Sequence, residues 1–308
     1  MQNVRRKVFL AAQWIFAIAI VWYAIRALEG QWASAADRLA TLDISWTAVA
    51  FATAIVVGTY VLLIDTWRRI VVASGERLPF RVAARIWFIS NLGKYVPGKV
   101  WSIAAMTVMA RENNVSPLAA AGSSVLIQLV TIAAGIGVVL VSGARAVDQP
   151  VVASIVGVLI LSLLGATPWI LPAAGRALSA LTGKTIALPA ISSATVWLAA
   201  ARATVSWIAY GVAFQIFVRG VLGSATGATS SYIAVYTASY IIGFLALFAP
   251  GGAVVRESAM ITGMLRLGLA GQADALAVAV ASRLWLTATE LLPGLVYLAL
   301  GKRTARTE

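Results

Sequence analysis

The chain has 308 residues, of which 61% are hydrophobic and 11% charged, and its mean hydropathy is +0.90, outside the range of soluble globular domains. It contains no histidine and no cysteine, which excludes disulfides, thiol nucleophiles, iron–sulfur clusters, Cys/His zinc sites and His-based triads. The net charge of +13 reads first as the cation bias of cytoplasmic loops, and the basic residues hug membrane boundaries rather than forming an aromatic-interleaved patch, so nucleic acid is not an expected partner.

In chain order, the first predicted element is a span over Val8–Ile25. Its basic head, Arg5-Arg6-Lys7, resembles that of a signal peptide, but the apolar run is long and leads into Trp22, Tyr23 and Arg26 rather than a small-residue cleavage site, so a retained span is expected. A polar connection over Arg26–Asp43 follows, open to reading as an interfacial helix or a disordered loop. Further spans are expected over Ile44–Asp65, Pro117–Val141 and Val151–Leu171, then, after a second polar connection over Pro172–Pro189, over Ser192–Val218 and Asp274–Leu300. With about 20 apolar residues needed per crossing, there is no room for a soluble domain, and residues 1–308 read as one all-α polytopic membrane domain.

Two segments break this pattern. Val82–Ala110 and Ser230–Arg266 are apolar but interrupted by Pro97-Gly98 and Pro250-Gly251, each with an aromatic residue two positions before the proline. Proline removes a backbone donor and glycine loosens the chain, so a helix stops or kinks there. Unpaired backbone at membrane depth is tolerated only where protein or a water-filled cavity satisfies it. Capped helix starts are expected after each break, at Ser116-Pro117 and at Asp274. The chain thus reads twice as span, span, broken pair, span, with pseudo-repeats over about 1–141 and 150–300. Six full spans plus two re-entrant helical hairpins would form an inverted repeat, the layout in which transporters place a site at the midplane; two proline-kinked spans without symmetry are the alternative. Both drawings leave both termini in the cytoplasm, and charge counting does not choose between them.

Charges at membrane depth are costly and usually mark a site or a pathway. Lys94 and Lys99 flank the first break in Asn91–Trp101 (NLGKYVPGKVW), which holds two of the five lysines. Arg256 and Glu257 follow the second break. Arg283, Thr287 and Glu290 share one face of the last span by their i, i+4, i+7 spacing. Arg202 sits alone in the Ser192–Val218 span, where its long side chain can snorkel. Pairing inside the bundle, Glu257 with Arg283 or Glu290 with Arg256, is the purely structural account. The surplus of cations over anions, together with helix amino termini after each break, points instead to a phosphate or phosphodiester met inside the bilayer. Glu257 would then hold Arg256 in place or accept from a hydroxyl or amine of the ligand.

The patterns N-x-x-K-Y-x-P-G-K-x-W at Asn91–Trp101, A-P-G-G-x-x-x-R-E at Ala249–Glu257 and S-R-L-W-x-x-x-x-E at Ser282–Glu290 resemble the lysylphosphatidylglycerol synthase transmembrane-region family. Its best-known members are the membrane halves of multiple peptide resistance factors, which flip aminoacylated phosphatidylglycerol; stand-alone relatives accompany glycosyltransferases or hopanoid and glycolipid pathways. The family commonly shows P-G-G-x-G before R-E, whereas Val254 stands here at the second glycine position. The chain ends shortly after Leu300, so the expectation is the transport half without an aminoacyl-transferase domain. The resemblance implies a non-enzymatic flippase of the plasma (inner) membrane for an anionic lipid, such as a modified phospholipid or a polyprenyl-phosphate-linked sugar. Its partners would be that lipid and either a pathway glycosyltransferase or further copies of the chain. The alternatives are a non-catalytic subunit of a glycolipid or glycosyltransferase pathway, or an intramembrane lipid-modifying enzyme using Glu257, Glu290 or Asp65 as base. The expected substrate-binding set is Asn91, Lys94, Tyr95, Pro97, Gly98, Lys99 and Trp101 from the first break, Pro250, Gly251, Gly252, Arg256 and Glu257 from the second, and Arg283 and Glu290 from the last span, with no metal and no cofactor.

Overall fold

The computed structural model describes residues 36–95, 100–143, 150–183, 191–246, 249 and 252–304. Every regular element among them is a helix: α1 (Trp46–Ala73), α2 (Phe80–Asn91), α3 (Val100–Glu112), α4 (Pro117–Ser142), α5 (Pro150–Thr182), α6 (Ser193–Leu222), α7 (Thr229–Leu245), α8 (Val255–Arg266) and α9 (Gln272–Thr304). The helices α1, α4, α6 and α9 are long and apolar enough to cross a membrane. The protein is therefore a multi-pass, all-helical membrane protein.

The expected span at Val8–Ile25 lies outside the described residues, while residues 36–40 of the first polar connection are helical. The second connection differs from expectation. Instead of ending at Leu171, α5 continues to Thr182 and carries Pro168 and Pro172; Ser154–Ile170 meets Pro172–Leu181 at a bend of 53°. A proline inside a helix removes one hydrogen bond and bends the axis without ending the helix when both arms still pack. The start of α9 also differs. Asp274 sits in its first turn rather than at the cap, and holds Arg38 Nε at 2.7 Å, tying the 36–40 turn to this end of the bundle. Ser116, in contrast, does cap α4, accepting from the Ala119 N–H, with Pro117 at the first helical position.

Inside a membrane, helix association gains little from the hydrophobic effect and rests on close van der Waals packing, so small residues collect where helices meet. The antiparallel pair α1/α6 follows this rule. Ala199, Ala200, Ala203, Ser206 and Ala213 of α6 are buried, and the start of α1 is pinned to the end of α6 by Ser45 N–H donating to the Gly220 carbonyl at 2.8 Å. Where α6 crosses α7, a Cβ on Gly211 would fall 2.4 Å from the Ile233 Cα, so only glycine permits that approach.

The two broken segments are each a pair of helices packed against one another. In the first, α2 runs into a 3-10 turn over Leu92–Tyr95, and α3 returns beside it. These arms have 12 and 13 residues, and at 1.5 Å per residue neither spans a hydrocarbon core of about 30 Å. In the second, α7 and α8 have 17 and 12 residues and meet through glycine. Gly252, at φ +70°, lies so close to Gly243 that a Cβ would sit 2.7 Å from the Gly243 carbonyl oxygen, and a Cβ on Gly243 would sit 2.7 Å from the Arg256 Cβ. The PGG element thus supplies the residue that lets α8 fold back onto α7 and brings the root of Arg256 against the α7 backbone.

Candidate functional site

Arg256 and Glu257 open α8, and successive helix residues point about 100° apart, so the two side chains face different neighbours. Both are buried, with relative exposures of 6% and 5%. Arg256 reaches α7, its guanidinium carbon 5.6 Å from the Tyr236 ring centroid and 5.8 Å from that of Tyr240. A buried cation over two aromatic faces gains quadrupole attraction, but rings accept no strong hydrogen bonds. Its Nε and Nη2 have no hydrogen-bond partner among the described residues. Glu257 faces α9, where Arg283 Nη1 donates to its Oε1 at 3.4 Å, a long contact, and its Oε2 has no partner among the described residues. The Glu257–Arg283 pairing anticipated from sequence therefore forms, while Arg256 stands over Tyr236 and Tyr240.

Tyr236 and Tyr240 belong at the same time to the wall of a central cavity of about 140 Å³. Six helices contribute: Tyr60 from α1, Phe88 and Asn91 from α2, Gln128 from α4, Tyr210 from α6, the α7 tyrosines, and Glu290 from α9. The rings form a continuous lining. Tyr60 meets Tyr210 at 6.2 Å and Phe88 at 5.9 Å, Tyr210 stacks on Tyr236 at 5.6 Å, and Trp207 meets Tyr240 edge-on at 5.3 Å, within the range of favourable aromatic pairs. Trp207 is fixed by donating its Nε1–H to the Thr131 carbonyl at 2.8 Å. Glu290 accepts from the Tyr60 hydroxyl at 3.2 Å. The chamber thus presents aromatic faces, a carboxylate and two amides, and Arg256, not itself a lining residue, lies over the Tyr236 and Tyr240 rings of its wall.

Of the sequence-predicted residues, Asn91 and Glu290 line this cavity, Arg256 contacts two of its wall residues, and Glu257 and Arg283 form the adjoining pair. Gly252 makes the α7–α8 approach possible. Trp101 is not brought in: it lies on α3 with 48% of its surface exposed. Pro97, Gly98, Lys99, Pro250 and Gly251, and the side chains of Lys94 and Tyr95, lie outside the described residues. Arg202 does not snorkel away from the bundle but lies 2.8 Å from Asp65.

The tyrosines are the residues that charge-based reading misses. Their signal is nonetheless present, because Tyr232, Tyr236 and Tyr240 recur every fourth residue along α7 and Trp207 and Tyr210 are three apart on α6, one face in each case. A further feature is Val254, whose φ is +70°. With ψ at −49°, this backbone is an outlier for a β-branched residue and open to glycine, the residue that P-G-G-x-G has at this place.

No curated protein matches the chain. The family model described as "Lysylphosphatidylglycerol synthase TM region" matches residues 9–294, a stretch that includes both broken segments, every cavity-lining residue and the charged cluster. The chain belongs to this family of lipid-related membrane domains.

Proposed function

We propose that the protein moves an anionic, phosphate-bearing lipid between leaflets, with the headgroup passing along the Tyr236–Tyr240 wall that the aromatic chamber shares with Arg256, and Arg256 as the principal phosphate ligand. The observation that carries this reading is the buried guanidinium whose Nε and Nη2 lack hydrogen-bond partners among the described residues. A buried charge left unpaired is strongly unfavourable, and a phosphate oxygen is the partner whose geometry the planar fork fits best. The start of α8 adds to this field: its cap position makes no side-chain hydrogen bond, leaving amino-terminal N–H groups for an anion. Lys94 and Lys99, close in sequence to the cavity residue Asn91, would supply the remaining positive charge.

The chamber's volume of about 140 Å³ suits a phosphate and a small polar substituent, not acyl chains, so the chains would stay in the bilayer while the headgroup crosses. Aromatic faces and Glu290 suit hydroxyl or ammonium groups on that headgroup. In this reading the two packed pairs, α2/α3 and α7/α8, are re-entrant hairpins of an inverted repeat, six full spans surround them, both termini are cytoplasmic and the membrane is the plasma membrane. The protein is a transporter rather than an enzyme.

The test is translocation of fluorescent phosphatidylglycerol and phosphatidylcholine in vesicles carrying purified protein. Wild type should move the anionic lipid, and Arg256→Gln should stop that movement while eluting as a folded protein. Unimpaired movement by a folded Arg256→Gln variant would remove the basis of this reading.

A further inference from the structure

We propose that a second, separate site, in the groove between α1 and α6, holds the phosphate of an anionic phospholipid as a resident ligand. It is lined by three arginines, Arg68, Arg69 and Arg202, which gather around Asp65. Arg68 Nη1 lies 3.1 Å from Oδ1, Arg69 Nε 2.7 Å from Oδ2 and Arg202 Nη1 2.8 Å from Oδ2. One carboxylate neutralises one of these cations, and three guanidinium forks carry far more N–H donors than its two oxygens accept. Arg68 spends its Nε–H on the Leu78 carbonyl at 2.9 Å. Arg202 Nη1, although close to Asp65, is buried without a well-formed hydrogen bond. Three cations against one carboxylate leave a net positive charge shared by the cluster, and Arg69 and Arg202 bring it to the same Asp65 oxygen from two different helices.

The space beside them is about 510 Å³, lined further by Thr66, Ile70, Val72, Ala73, Thr195, Leu198 and Ala199. That is ample for a phosphoglycerol headgroup and the start of its chains. The apolar flanks continue along the bundle: Val61 and Val72 on the Asp65 side of α1 and Leu198 and Val205 on the Arg202 side of α6 are all exposed, each three, four or seven residues from Asp65 or Arg202 and so on the same faces as the charges. A cationic floor with an apolar, outward-facing ramp matches a lipid and not a soluble anion.

Depth agrees. With 28 and 30 residues, α1 and α6 are about 42 and 45 Å long at 1.5 Å per residue, some 12–15 Å more than the hydrocarbon core. The groove lies at the carboxyl-terminal end of α1, where Arg68 and Arg69 are within about 8 Å of the helix end, and in the amino-terminal third of α6, so its cations lie towards headgroup level.

The experiment is native mass spectrometry of the delipidated full chain titrated with phosphatidylglycerol, phosphatidylcholine and inorganic phosphate. One phosphatidylglycerol should be retained at least ten-fold more tightly than phosphatidylcholine, inorganic phosphate should not displace it at equal concentration, and Arg69→Gln/Arg202→Gln should weaken retention at least ten-fold. Equal retention by the double variant, no preference over phosphatidylcholine, or displacement by inorganic phosphate each overturns the proposal. If the double variant does not fold, Arg69→Gln alone decides: this side chain is 54% exposed, and unchanged retention there is equally fatal. Arg256→Gln should keep the groove lipid, so the outcome here is separable from that of the transport reading.

Discussion

Arg256 and Arg202 are both arginines within long apolar helical stretches, yet the fold treats them in opposite ways. Arg202 meets a carboxylate at 2.8 Å near one end of the bundle, where water and headgroups lower the cost of charge. Arg256 is enclosed at the α7–α8 junction, with tyrosine rings as its cation partners and two nitrogens unmatched among the described residues. A paired arginine near a helix end holds neighbouring elements in register. An unmatched one in the interior stores an unmet demand for an anion.

That contrast breaks most sharply at Arg256. Its replacement by glutamine should reduce anionic-lipid translocation at least 100-fold while thermal stability in detergent stays level or rises by about 1 kcal/mol, because an incompletely compensated buried charge is removed. Lysine should not rescue, since an ammonium neither stacks on two rings nor presents a fork. Next comes the backbone that positions this arginine. Gly243→Val would drive a side chain into the Arg256 Cβ, and thermal unfolding should show a loss of about 3 kcal/mol, the upper range for overpacking, along with loss of transport.

At the opposite end, Asp65→Asn leaves three arginines around a neutral amide. The expected loss is about 2 kcal/mol, reduced from the fully buried case by the partial exposure of the arginines, and it should shrink on adding salt; indifference to salt would mean that Asp65 acts by packing instead. Tyr236→Leu removes one ring from beneath Arg256 and should weaken lipid binding about ten-fold, roughly the value of a desolvated cation–π contact. The smallest effect is expected at Val254→Gly, where relief of the positive φ should stabilise by about 1 kcal/mol, measurable as a higher unfolding midpoint with transport unchanged.

What the sequence by itself determined follows from local rules. Apolar run length marked the long helices α1, α4, α6 and α9, because a helix that must cross about 30 Å of hydrocarbon needs its polar backbone satisfied internally. Pro-Gly marked the breaks, Ser116-Pro117 marked the start of α4, and the rarity of charge at membrane depth marked Arg256, Glu257, Arg283 and Glu290. The tertiary structure decided how those pieces meet. Sequence spacing shows that Tyr236 and Tyr240 share a face, but only the α7–α8 packing through Gly243 and Gly252 places Arg256 over that face. Likewise, nothing local distinguishes Pro172, which bends α5, from a helix-ending proline. Nor could a lone Arg202 reveal Asp65, 137 positions away, as its partner. Local propensity acts over a turn or two of helix, whereas the partner of a buried charge is set by which helices pack together.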